Sequence, residues 1–146
     1  AAGTYLPAPG DKRVYISVNN RDKERAVPLA RRLHELGFTV VATRGSQAFF
    51  ENRGVPAEFV YKVREGRPNI VDRLKNGEIH LVINTPLGES SHYDERVVGE
   101  TAYRLGIPIV TTLSAAEAAL GAIARIGSRP LEPIALQELT RGTGKA

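Results

Sequence analysis

Five times along the chain, a short run rich in β-branched and apolar residues gives way to a stretch whose apolar positions recur at helical spacing. The runs are Val14 to Val18 ("VYISV"), Phe38 to Thr43, Glu58 to Val63, "IHLVIN" at 79–84 and "IPIVTT" at 107–112. After the first, Ala26, Leu29, Ala30, Leu33 and Leu36 share one helical stripe, and Gly37 supplies the stop. Pro28 falls inside that stripe and predicts a bent helix, since it removes one backbone donor. A short helix is expected around Gln47 to Asn52, another over "IVDRLKNG" closed by Gly77, and a third over "ERVVGETAYRLG". Ser114 and Glu117 read as an S-x-x-E capping box opening the last helix. Strands that alternate with helices form parallel sheets, because right-handed crossovers lay helices on both faces. The expectation is an α/β domain of three layers, α/β/α, around a five-stranded, mostly parallel sheet whose weak third strand lies at an edge.

A chain of 146 residues is long enough for one such domain and one buried core. Residues 1–12 and 128–146 lack periodicity and are rich in Gly, Pro and Ala, so they read as a linker and a tail around a domain at 13–127. No methionine occurs anywhere, and with the tails this suggests a piece of a longer chain. The absence of cysteine excludes disulfides and thiolate metal sites and fits a cytoplasmic setting. No run is apolar and long enough to span a bilayer. A net charge of +4 without a basic block gives no footprint for nucleic acid, although it is compatible with a phosphate-bearing ligand.

In open sheets of this kind, ligands bind beyond the carboxyl ends of the strands. Those ends carry Asn19, Asn20 and Lys23; Thr43, Arg44, Gly45 and Ser46; Lys62; Asn84 and Thr85; and Thr111 and Thr112. Lysines supply charge, hydroxyls donate hydrogen bonds, glycine permits close backbone approach, and a following helix offers free N–H groups, so the rim suits a phosphate. The same residues are also ordinary helix caps and turn formers. Neither G-x-G-x-x-G nor G-x-x-x-x-G-K-[ST] occurs, and no acidic or histidine cluster has metal-ligand spacing. His34 falls in a helix and His80 in a strand, whereas His92 falls in the loop after the fourth strand.

The stretches "DKERAVPLARRLHELGF", "ATRGS", "KVREGRPNIVDRLKNGEIHLVINT" and "VTTL", in this order and spacing, resemble the methylglyoxal-synthase-like domain that ends the carbamoyl-phosphate synthase large subunit. The resemblance runs from about Val14 to about Ile126, and "KVREGRPNIVDRLKNG" is its specific part. It implies a Rossmann-like fold and a domain that makes no bond itself, so no catalytic residue, metal or cofactor is expected here. Such domains receive effectors, UMP as inhibitor and IMP or ornithine as activator in bacterial members. They act on the synthetase domains of the same polypeptide, which use ATP with Mg or Mn, make carbamoyl phosphate for pyrimidine and arginine biosynthesis, and work with a glutaminase small subunit. Neighbouring large subunits are further implied partners. Carried over by position, the nucleotide monophosphate site falls on Lys23, Thr43, Ser46, Lys62, Asn84 and Thr85, with Arg44 and Gly45 in the phosphate turn. Pro86 stands where some members keep a hydroxyl, and Val110 where ornithine-responsive members carry an acid, beside Thr111 and Thr112 as the second effector region.

An enzyme reading on the same fold is methylglyoxal synthase, which eliminates phosphate from dihydroxyacetone phosphate and needs a carboxylate base in the loop before the third helix, plus a histidine. His92 falls about where that histidine belongs, but the position of the acid is Arg67, which accepts no proton. The purine-cyclisation domain of the bifunctional enzyme that makes IMP is a related third reading, and its phrases match less closely.

Overall fold

The computed structural model describes residues 12–85 and 92–127. Strand β1 (Arg13–Ser17) leads through a 3-10 turn into helix α1 (Lys23–Glu35), followed by β2 (Thr39–Ala42), α2 (Arg44–Asn52) and β3 (Ala57–Phe59). Helix α3 (Ile70–Lys75), β4 (Leu81–Asn84), α4 (His92–Arg104), β5 (Ile109–Val110) and α5 (Leu113–Gly127) complete the order. All strand pairs are parallel, and the sheet runs β3-β2-β1-β4-β5. The expected α/β/α architecture is thus present, with the weak third strand at one edge.

Alternation along the strands divides the core in two. Val14 and Ile16 of β1, Val40 and Ala42 of β2, and Leu81 and Ile83 of β4 pack with Leu29 and Leu33 of α1, Phe50 of α2 and Leu120 and Ile123 of α5. Tyr15, Val41 and Val82, one residue out of phase, pack instead with Ile70 and Leu74 of α3 and Val98 and Ala102 of α4. The period-2 side-chain geometry of a strand requires this split once both faces are covered. Central β1 is therefore buried on both sides, and its carboxyl end is the floor of whatever the rim builds.

Local chemistry sets the ends of the elements. Gly37, at φ 95°, takes the left-handed conformation that stops α1 as its position predicts. Helix α1 runs unbroken through Pro28, which lies on the exposed side where the carbonyl of Glu24, deprived of its donor, can meet water. Helix α2 begins at Arg44, three residues before the expected start, so Arg44, Gly45 and Ser46 form its first turn rather than a loop. Strand β3 stops at Phe59, short of the expected Val63; beyond it, pairing is reduced to a single bridge between Tyr61 and Asn69. Helix α3 carries a reciprocal cap that the sequence reading missed. The Asn69 side chain accepts from the Asp72 N–H at 3.0 Å, and the Asp72 carboxylate accepts from the Asn69 N–H at 2.8 Å.

Two corrections concern the last helix and the base of the sheet. The expected Ser114 and Glu117 box does not form, because both residues lie inside α5. The cap is Thr112, whose Oγ1 accepts from the Ala115 N–H at 3.1 Å. Unanticipated too is an ion network: Arg73 of α3 donates to Glu58 of β3 and, at 3.0 Å, to Glu78, while Arg13 of β1 reaches Glu58 at 3.4 Å. Because the Arg73 side chain is only 11% exposed, this network fixes α3 against the sheet edge.

Loss of the Thr112 cap has a defined cost. Thr112→Ala is expected to lower stability by about 1 kcal/mol, and Thr112→Ser to restore most of it. Urea denaturation of the three chains measures this; a stability unchanged in the alanine variant would show that the cap carries no energy.

Candidate functional site

The chain winds outward through β1, β2 and β3, then crosses back to place β4 on the other flank of β1. That reversal opens a crevice at the carboxyl ends of β1 and β4. Two hydrogen bonds hold the strand ends there: Thr85 N–H donates to the Ser17 carbonyl at 2.9 Å, and Asn19 N–H donates to Thr85 Oγ1 at 3.2 Å. A cleft of about 20 Å³ lies above, lined by Tyr15 and Ser17 of β1, Thr43, Lys62, Val63, Ile70 of α3, Asn84 of β4, and Asp94, Glu95 and Val98 of α4. That volume admits about one water-sized group, and the cleft is open toward the rim.

The expected site residues divide by place. Thr43, Lys62 and Asn84 line the cleft. Ser46, 6% exposed, lies in the first turn of α2 directly after Thr43. Lys23 joins them across the gap between α1 and α2: a Cβ at Gly45 would stand 3.6 Å from the Lys23 ammonium, which also lies 5.9 Å from the Phe49 ring centroid. The head of α2 therefore faces a lysine. Arg44 turns elsewhere, its guanidinium 5.0 Å over the ring of Phe59. Thr85 is 2% exposed with its hydroxyl engaged by Asn19, so it braces the floor. Thr111 and Thr112 lie beyond β5 on the exposed surface, away from the cleft-lining residues. Pro86 lies outside the described residues; His92 opens α4, and its side chain is likewise outside them.

The site carries charges of both signs. Neither Lys23 nor Lys62 forms an ion pair among the described residues. Lys23 with the N-terminus of α2 makes a positive pole suited to an anion. Asp94 and Glu95 line the same cleft as Lys62, where Val63, Ile70 and Val98 add apolar walls. The Asn84 amide reaches the Glu95 carbonyl at 3.5 Å, joining β4 to α4. Tyr15 forms part of the floor. Burial pushes its phenol up to about 12, lowered in part by the Ser17 hydroxyl and raised again by the charges of Asp94 and Glu65. The sequence reading missed Tyr15 and Ser17 as part of the cleft because they sit inside a strand run. Their shared parity on β1, which points both to the α3–α4 face, was the signal available.

The loop before α3 is also explicit. Arg67 binds the Asp72 carboxylate through two nitrogens, at 2.7 and 3.2 Å. The Asn69 N–H, and then Arg67, hold that carboxyl below its usual range. No three His, Asp or Glu side chains among the described residues are placed to hold a metal ion. No described helix is long and apolar enough to cross a membrane.

A parallel five-stranded sheet between helices, with a crevice at its reversal point, defines an α/β domain of Rossmann-like build. The family model for an MGS-like domain matches residues 25–111, and the chain belongs to that family. It is 44% identical over 142 residues to a carbamoyl phosphate synthase large chain of Acidobacterium capsulatum, covering 97% of this chain and 13% of that one. A carbamoyl phosphate synthase large chain of Synechocystis is 41% identical over 138 residues, covering 94% and 13%. The carbamoyl phosphate synthase large chain, C-terminal section, of Methanopyrus kandleri is 41% identical over 143 residues, covering 97% and 26%. The chain thus spans only a small part of the relatives it matches.

The raised phenol gives a pH signature. Below pH 10 Tyr15 is neutral whether the chain is folded or not. Above its ordinary value of 10.0 only the unfolded chain ionises, so stability is lost as pH rises toward about 12. Between pH 9 and pH 11 the loss attributable to Tyr15 is expected to be on the order of 1 kcal/mol. Urea midpoints of the wild type and Tyr15→Phe across that range measure it; parallel pH profiles would show that the phenol is not protected.

Proposed function

We propose that the chain is the effector-binding domain of a carbamoyl phosphate synthase large chain, and that it senses a nucleoside monophosphate, UMP or IMP, without consuming it. The observation that carries this reading is the Lys23 ammonium, which forms no ion pair among the described residues, beside Gly45 at the head of α2 and next to buried Thr43 and Ser46. Phosphate placed there meets free N–H groups of the first turn, two hydroxyls and a lysine. Lys62 and Asn84 then border the ribose, and the apolar walls at Val63, Ile70 and Val98 receive the base. In the parent protein the domain would regulate ATP- and glutamine-dependent synthesis of carbamoyl phosphate for pyrimidine and arginine biosynthesis. Its partners would be the synthetase domains of the same chain, a glutaminase small subunit and neighbouring large subunits, in the cytoplasm; ATP and Mg or Mn would be bound outside this domain.

The alternative of methylglyoxal synthesis is opposed by the loop before α3. Its guanidinium at Arg67 is locked onto Asp72, and Asp72 in turn caps the helix, so neither side chain is placed as a free base. Thr112 serves as a helix cap, which argues for a structural role in the region where a second effector was expected.

UMP or IMP is expected to raise the melting temperature of the isolated chain, because a ligand that binds only the folded state stabilises it by mass action. Lys23→Ala is expected to weaken that binding about tenfold or more, the scale of one lost charge-assisted contact, while leaving the fold intact. Scanning calorimetry checks the first and isothermal titration calorimetry the second. No heat with either nucleotide at millimolar concentration would overturn the reading, and unchanged affinity in the variant would move the phosphate away from α2.

A further inference from the structure

Tyr15 is the one buried tyrosine among the described residues, with 4% of its surface exposed. It lies on the central strand, and its ring belongs to the apolar layer formed with Val41, Ile70, Val82 and Val98 beneath α3 and α4. A phenylalanine would satisfy that layer equally, and the hydroxyl that tyrosine adds has the Ser17 side chain as a hydrogen-bond partner. Yet the residue also lines the cleft, beside Ser17 and below Asp94. The core thus presents a phenol at the floor of the site.

The surroundings restrict what that phenol can meet. Asp94 and Glu95 on α4 line the cleft together with Thr43 and Lys62, while Lys23 and Ser46 stand outside this lining at the head of α2. Val63, Ile70 and Val98 favour a flat, weakly hydrated ring between α3 and α4. A neutral phenol can donate to a ring carbonyl or accept from a ring N–H, and a neutral base offers both. We infer that Tyr15 is a specificity-determining residue of the site, its hydroxyl pairing with the polar edge of the bound heterocycle. This rests on the nucleoside monophosphate reading, and adds which end of the ligand is read and by what.

The inference separates two contributions that phosphate binding alone would not. A site with a hydrogen-bonding group at its floor discriminates against ligands that leave the group unpaired. UMP, IMP and ribose 5-phosphate are titrated by calorimetry against the wild type and Tyr15→Phe; the sugar phosphate shares everything but the base. The expected result is a loss of about tenfold in affinity for the nucleotide that the wild type binds, with ribose 5-phosphate unchanged. A merely structural role of Tyr15 would shift nucleotide and sugar phosphate together, and that outcome overturns the inference. So does an unchanged nucleotide affinity in the variant, which leaves the nucleotide reading standing. A wild type that binds neither nucleotide removes both.

Discussion

The reversal of winding between β1 and β4 is the constraint from which the site follows. Had the fourth strand continued outward beyond β3, the loops after successive strands would all leave in one direction and close over one another. Instead β4 pairs with β1 along four residue positions, Val14 to Ser17 against Leu81 to Asn84, and the connections diverge above that pair. Two further hydrogen bonds, from Thr85 to Ser17 and from Asn19 to Thr85, carry the pairing past the ladder. The floor of the crevice is therefore rigid, and residues aimed into it from β1 have fixed positions.

On that floor the two faces of the sheet contribute unlike chemistry. The α1–α2 side brings a lysine to a helix N-terminus beside Gly45. The α3–α4 side brings apolar side chains and two carboxylates to the cleft that Lys62 also lines.

The fold was legible because burial on both faces of a parallel sheet leaves near-continuous apolar runs, and because glycine stops such as Gly37 mark where helices end. Element boundaries were less so. Thr112 caps α5 although Ser114 has the better local pattern, because the choice depends on where β5 releases the chain, which is set by its pairing with β4. At the site, strand-end position was enough to nominate Thr43, Lys62 and Asn84, and to suggest Lys23. It was not enough to separate Arg44, stacked on Phe59, from its neighbours in the same turn, because one helical residue rotates a side chain by roughly 100°. Tyr15 was invisible for the opposite reason: an aromatic residue inside a strand reads as core, and here it is core and cleft at once.

Helix α3 is where the core and the cleft meet most directly. With six residues it is far too short to be stable alone, and its place is set by the burial of Ile70 and Leu74 and by contacts at its two ends. At one end Asn69, Asp72 and Arg67 satisfy the first turn; at the other Arg73 joins Glu58 and Glu78. Ile70, between them, faces the cleft. A ligand can shift a conformational equilibrium only by the difference in its affinity for the two states. That difference is largest where an element's position rests on few contacts and the ligand supplies another. At α3 the cleft-lining Ile70 is also a buried core residue beside Leu74, so the segment that links β3 to β4 joins the wall of the crevice to the core.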